Sequence, residues 1–240
     1  MSLRTAVHTA ISGVIGLIGL MLAALTLAAP PAAAATEPPA VRGGDVLYSG
    51  PGPASRCTIG FNATDATNST TSTTFYGILP GRCGEAGTQW YADPGLTVPV
   101  GVTQVAHFPG RNYSLVRYTN PGLSYPSEIR GGSGSGAVRI TRAEQPVVGE
   151  SLCRFGNTTG WHCGTIVAVN QSVTFPEGTV HGLIRASLCA EPGDSGGPAI
   201  TRDAAIGVLV GGSGNCRTGG TTFYQPVVPI LAENRLRVGY

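Results

Sequence analysis

Antiparallel β-structure is the fold class that this chain predicts, and two observations carry it. Past residue 41, short runs of β-branched and aromatic residues alternate with clusters of Gly, Asn, Ser and Pro. Runs of that length bounded by turn formers are strands of barrels or sandwiches. Apolar spacing at three and four residues, the mark of a helix, is scarce.

The first 35 residues stand apart from this pattern. Arg4 precedes an almost wholly apolar stretch over residues 10–29, and Ala32-Ala33-Ala34-Ala35 follows Pro30-Pro31. Charge, apolar segment and small-residue site in that order read as a secretory signal, with cleavage expected after Ala35. An uncleaved membrane anchor is the competing reading, because the apolar run is nearly long enough to span. The small-residue site favours removal, and no later segment could span. The expectation is a secreted protein, free of the membrane once cleaved.

Strands follow in order: Cys57-Thr58-Ile59-Gly60-Phe61, the run from Tyr113 to Tyr118, the run from Gly164 to Val169 and the run from Ala205 to Val210. Residues 64–74 are almost all Thr, Ser, Asn and Ala, a polar hairpin loop between strand-like runs. Residues 131–136, Gly and Ser alone, read as a linker, which divides the chain into a β-half over 36–130 and another over 137–240. One helix is expected over residues 227–236, where Val228, Ile230, Leu231 and Leu236 mark a face.

Composition narrows the function. The formal net charge is only +2 over 240 residues and no basic patch is present, which argues against nucleic acid as partner. Export accounts for the cysteines: Cys57, Cys83, Cys153, Cys163, Cys189 and Cys216 are an even set, read as three disulfides in an oxidising compartment. Spacing alone does not choose their pairing. With no C-x-x-C pair, no metal site is expected, and no cofactor.

The chemistry centres on Gly193-Asp194-Ser195-Gly196-Gly197-Pro198. Together with Arg42-Gly43-Gly44-Asp45, the block from Cys57 to Asn62, the block from Thr158 to Gly164, Gly211-Gly212-Ser213-Gly214-Asn215-Cys216 and the block from Gly219 to Pro226, it makes an ordered series over the whole part past Val41. The series resembles the secreted bacterial chymotrypsin-like serine endopeptidases of the streptogrisin and α-lytic protease family.

That resemblance implies two six-stranded antiparallel β-barrels with the site in the cleft between them, and a monomer. It implies the pairs Cys57–Cys83, Cys153–Cys163 and Cys189–Cys216, and a buried ion pair of Asp194 with Arg154 that holds the turn presenting Ser195. Ser195 is the nucleophile, with the backbone N–H groups of Gly193 and Ser195 as oxyanion donors. Val210, Gly211, Gly212, Ser213 and Pro192 are the expected substrate-binding positions, and the pocket lacks an acidic base, so an apolar or aromatic side chain fits it best.

Three departures stand out. The family's catalytic histidine position holds Arg82, its catalytic aspartate position holds Asn112, and the serine that buttresses that aspartate is Val210. A serine hydroxyl needs a positioned base, and a guanidinium, protonated across the working pH range, cannot act as one. Of the remaining histidines, His107 is the one conceivable substitute base; His162 reads as structural, and His181 as packing near the pocket. The family's long pro-region is also expected to be missing, with about five residues between the cleavage site and Val41. The favoured expectation is a pseudoprotease that binds peptide or protein in the old cleft. The alternatives are a hydrolase that uses Ser195 with a non-standard base, and a structural or envelope-associated protein.

Overall fold

The computed structural model describes residues 37–50, 56–66, 73–131 and 136–240. The segment read as a secretory signal, residues 67–72 of the polar loop and residues 132–135 of the Gly/Ser stretch lie outside them. Glu37–Tyr240 forms one unit.

Two large sheets, a two-stranded hairpin sheet between them and one α-helix are the main elements of this unit, a chymotrypsin-like fold of two barrel-like sheets. The first contains β1 (Val46–Tyr48), β2 (Arg56–Thr58), β3 (Phe61–Asp65), β4 (Phe75–Leu79), β5 (Gln89–Tyr91), β6 (Pro99–His107) and β7 (Tyr113–Tyr118). A hairpin of β8 (Glu128–Arg130) and β9 (Ala137–Arg139) leads to the second sheet. Gly131 N–H donates to the Gly136 carbonyl at 2.7 Å, so the two ends of the Gly/Ser stretch meet at the head of that hairpin.

The second sheet holds β10 (Arg142–Ala143), β11 (Ser151–Gly156), β12 (Gly160–Phe175), β13 (Gly178–Ser187), β14 (Pro198–Thr201), β15 (Ala204–Asn215) and β16 (Gly219–Pro226). Its order is β10-β15-β14-β11-β12-β13-β16, and a β15–β16 pairing closes the ring. Helix α1 (Val227–Asn234) follows, two residues shorter than the periodicity predicts. Arg235 in the left-handed region, φ 54°, ends it, and Leu236 turns into β17 (Leu236–Arg237). This last strand pairs with β3, at the edge of the first sheet.

Hydrogen bonding therefore counts eight and seven strands where the resemblance implied six and six. The surplus has simple causes. β17 is lent by the C-terminal segment, β10 is a two-residue parallel addition, and β2 and β3 are one run interrupted at Ile59 and Gly60. A Cβ on Gly60 would lie 2.5 Å from Val208 Cγ2, so the chain bends where the other sheet comes closest.

Three large apolar clusters, beside a small one of Val180, Leu183 and Val210, follow from this arrangement. Leu47, Ile59, Leu79, Trp90, Val100 and Val116 fill the first sheet, and Trp90 Nε1 donates to Thr103 Oγ1 at 2.8 Å. Leu152, Ile166, Ile184, Ile206, Leu209 and Tyr224 fill the second. A third cluster joins both sheets to the helix through Phe61, Ile78, Leu115, Val208, Ile230 and Leu236. Each buried side chain of this size contributes about 1.5–3 kcal/mol, so the sheets are fixed to each other as firmly as each is filled.

All three disulfides pair as the resemblance implied: Cys57–Cys83, Cys153–Cys163 and Cys189–Cys216. Each restricts the unfolded chain and is worth about 2–4 kcal/mol. Among the described residues no helix is long and apolar enough to cross a membrane.

Candidate active site

The turn that carries Ser195 is held from below by a sealed ion pair. Arg154, on β11, and Asp194 meet at 3.2 Å, both side chains 0% exposed. The Asp194 carboxylate also accepts from Thr158 N–H at 2.9 Å, Thr159 N–H at 3.1 Å, Glu191 N–H at 2.9 Å and the Thr159 hydroxyl at 2.7 Å. Arg154 Nε donates to the Cys189 carbonyl at 2.8 Å. Burial pushes the Asp194 carboxyl up; the Thr159 hydroxyl, the N–H donors and the Arg154 charge outweigh it, so the group lies below the usual carboxylate range. Gly156 makes room for this pair, since a Cβ there would stand 2.3 Å from Asp194 Oδ1.

Above the pair, Gly193 adopts φ 99°, a region that a side chain would strain, and its Cβ would also meet Thr158 Oγ1 at 2.3 Å. Asp194 N–H, Gly196 N–H and Gly197 N–H are satisfied by the Glu191, Leu209 and Asp194 carbonyls. The N–H groups of Gly193 and Ser195 donate to no described residue and so remain as a pair of open donors. Oxyanion holes are built from backbone donors of this kind.

Among the described residues Ser195 has no base. Its exposed Oγ donates, at 3.4 Å, only to the Val210 carbonyl. Arg82, in the 3-10 turn Gly81–Cys83, is turned toward β12 and β13: its guanidinium pairs with Glu177 at 3.1 Å and lies 5.0 Å from the ring centres of both Phe108 and Phe175. Asn112 is buried, 1% exposed, and keeps a structural bond, accepting Gly81 N–H on Oδ1 at 2.8 Å. Its own N–H donates to Gln225 Oε1 at 2.9 Å. Ser195 and Arg82 thus have separate partners, and Asn112 supplies an amide where an orienting carboxylate would be needed.

The histidines are occupied elsewhere. His107 lays its ring against Tyr113, centroids 4.8 Å apart, and Tyr113 Oη donates to Glu233. His162 bonds the Thr159 carbonyl at 3.1 Å and lies 3.6 Å from Cys189 Sγ; with Cys189 and Cys216 joined to each other, that group is structural and not a metal set. His181 is exposed and meets Ser172 Oγ at 2.9 Å, out on the β12–β13 arm. None is a partner of Ser195.

The expected substrate positions divide. Pro192, Gly212 and Ser213 are exposed. The Val210 side chain, 8% exposed, packs with Val180 and Leu183, so only its carbonyl reaches the cleft. A Cβ on Gly211 would meet nothing within 4 Å, whereas one on Gly212 would lie 2.4 Å from the Thr221 carbonyl. Gly211, rather than Gly212, is therefore the wall position that tolerates a side chain.

One residue escaped the sequence reading. Arg56 lines a cavity of about 310 Å³ together with Gly193, Ser195, Thr58, Thr158 and Cys83. It is an exposed cation with no ion pair among the described residues, and only its position beside Cys57 hinted at it.

Comparison with known proteins agrees with this geometry. The family model for Trypsin matches residues 103–232. Streptogrisin C of Streptomyces griseus is 46% identical over 193 residues, 80% of this chain but 39% of its own length, so the chain spans well under half of that relative. Serine protease 2 of Streptomyces fradiae is 39% identical over 184 residues, 76% of this chain and all of that one. The solved structure of alpha-lytic protease homolog N4 is 50% identical, with a TM-score of 0.72 over 82% of this chain and 98% of that one. The chain belongs to the trypsin family of serine proteases, among its bacterial chymotrypsin-like members.

Proposed function

We propose that this chain is a secreted pseudoprotease that holds an extended peptide or protein segment in the family cleft without cutting it. The observation that carries the reading is the isolation of Ser195, whose hydroxyl has only the Val210 carbonyl as partner. Attack on an amide needs the hydroxyl proton removed as the bond forms, and Arg82 and Asn112 offer neither a base nor a carboxylate to orient one. Removing triad members lowers turnover by about 10⁴–10⁶. Binding needs none of them, since an extended peptide gains main-chain hydrogen bonds along a cleft strand and an apolar side chain gains burial.

Two measurements test this reading together. Turnover of a chromogenic Ala-Ala-Pro-Phe anilide is expected at background and unchanged by Ser195→Ala. Turnover within about tenfold of an active relative, abolished by that substitution, overturns it. A second reading, a residual serine hydrolase, is favoured by the open Gly193 and Ser195 donors. A serine-directed phosphonate separates the two: stoichiometric labelling lost in Ser195→Ala supports the hydrolase, and silence supports the binding module.

A further inference from the structure

The three residues that depart from the family meet around one small apolar cluster. Arg82 lays its guanidinium 5.0 Å from the ring centres of Phe108 and Phe175, whose own centroids are 5.8 Å apart. Both rings pack against Val180, Leu183 and Val210, and the Val210 carbonyl is the one that receives the Ser195 hydroxyl. Asn112 fixes the same corner from the first sheet, since its Oδ1 accepts the N–H of Gly81, the residue before Arg82.

The β12–β13 arm that brings Phe175 and Val180 here is built to bend. Its ladder carries an extra residue on β12 between Ala168 and Gln171, and another on β13 between Val180 and Leu183. Each falls at a residue in the left-handed region, Asn170 at φ 55° and Gly182 at φ 72°. A Cβ on Gly182 would meet nothing within 4 Å, so this glycine serves the backbone angle and not the space. Neighbouring bulges, one on each strand, interrupt the pairing and give the arm a flexure. Beyond it the ladder resumes to the turn, pairing Val173 with Val180, Thr174 with Thr179 and Phe175 with Gly178.

The tip past that flexure is fastened to the first sheet by few contacts. Gly110 N–H donates to the Thr179 carbonyl and His181 N–H to the Gly110 carbonyl, both at 2.9 Å. Pro109 lies against Gly178, where a Cβ would stand 2.7 Å from its Cγ. Arg82 adds a cation held by one ring that follows β6 and one that ends β12, together with the pair to Glu177 at 3.1 Å.

We infer that residues 173–180 are a hinged strap and that Arg82 is its catch. With the catch closed, Val180 stays seated against Leu183 and Val210 and steadies the strand whose carbonyl meets Ser195. With the catch open, the strap swings about Asn170 and Gly182, the seat of Val210 loosens, and the Ser195 hydroxyl loses its partner. The family's base position thus acts on Ser195 through packing instead of proton transfer.

Hydrogen exchange of the oxidised full chain, read by mass spectrometry, tests this. In Arg82→Gln the amides of residues 173–181 are expected to exchange about tenfold faster, the combined worth of two ring contacts and a surface pair. Phe175→Leu, which keeps the apolar seat and loses one ring, should give about threefold, and Glu177→Gln about twofold. The Arg82 and Glu177 side chains are 45% and 49% exposed, so neither polar variant should unfold the chain. Strands β11 and β14 should exchange as in the wild type, while residues 209–213 should quicken with the strap. Unchanged strap exchange in Arg82→Gln overturns the catch. Equal quickening in β11 and β14 marks a general loss of stability and overturns the hinge. A quickened strap with residues 209–213 unmoved overturns the link to Ser195.

Discussion

Replacing Asp194 by Asn tests whether the Ser195 turn is held as firmly as its contacts imply. Asn keeps one oxygen for Thr158 N–H and Thr159 N–H, but puts an amino group against Glu191 N–H, whose distance to the carboxylate is 2.9 Å. One buried donor is then stranded, and Arg154 is left with its full charge 0% exposed. Breaking a buried pair on one side costs about 3–5 kcal/mol. For a domain of this size that is a fall in Tm of about 6–20 °C. Removing both partners should not restore the loss, in contrast to simple buried pairs, because three N–H groups and a hydroxyl would still lack their acceptor. The pH dependence has a fixed sign. A carboxyl whose folded pKa is depressed stabilises the fold above its unfolded pKa, near 4, and that stability is lost as pH falls through the lower folded value. Asp194→Asn should therefore flatten the acid limb of stability against pH. Urea melts of the oxidised protein from pH 7 to pH 2 measure all of this. A loss under about 1 kcal/mol at pH 7, with the acid limb unchanged, refutes the reasoning.

Restoring the triad is the direct counterpart. Arg82→His with Asn112→Asp should recover measurable phosphonate labelling of Ser195, whereas Arg82→His alone should recover less, having no carboxylate to fix its tautomer; a folded but inert double variant means the cleft has drifted. Val210→Ser alone should lower stability by about 1–3 kcal/mol, by setting a hydroxyl among Val180 and Leu183, as read by thermal melts. Gly211→Leu should abolish peptide binding with little change in Tm, while Gly212→Ala should lower Tm by forcing β15 from β16, and the reverse pattern would refute the assignment of the wall. Cys189→Ser with Cys216→Ser should cost about 2–4 kcal/mol in urea melts and loosen the turn below Ser195, because Cys216 N–H is held by Glu191.

Local signals in the sequence carried much of this. The run from Tyr113 to Tyr118 is strand β7 to the residue, and the helix begins at Val227, the first residue of the expected span. Disulfide pairing and the Arg154–Asp194 pair came only through the ordered motif series, since spacing left the pairing open. Arg82 was legible as the wrong residue for catalysis, but its destination was not. Its partners Phe175 and Glu177 stand on an arm more than ninety residues away, and no local pattern brings them there. The Gly211 and Gly212 directions were also hidden, because the register slips between Leu209 and Gly211 and reverses the alternation that a regular strand would show. Arg56 has no periodic context, and only the closing of the cleft gives it neighbours.

The pairing of Leu236 with Asp65 spans about 170 positions of chain. Until that last strand docks, β3 presents an unpaired edge, so the earlier half cannot finish while the later half is still being delivered. A fragment ending near residue 131 would keep that edge bare, an invitation to strand exchange or aggregation. Contacts this distant also slow the search for the native state, since a large loop must close before they repay it. A molecule truncated by a few residues leaves the seat of Leu236 empty and β3 with an open edge along its whole length.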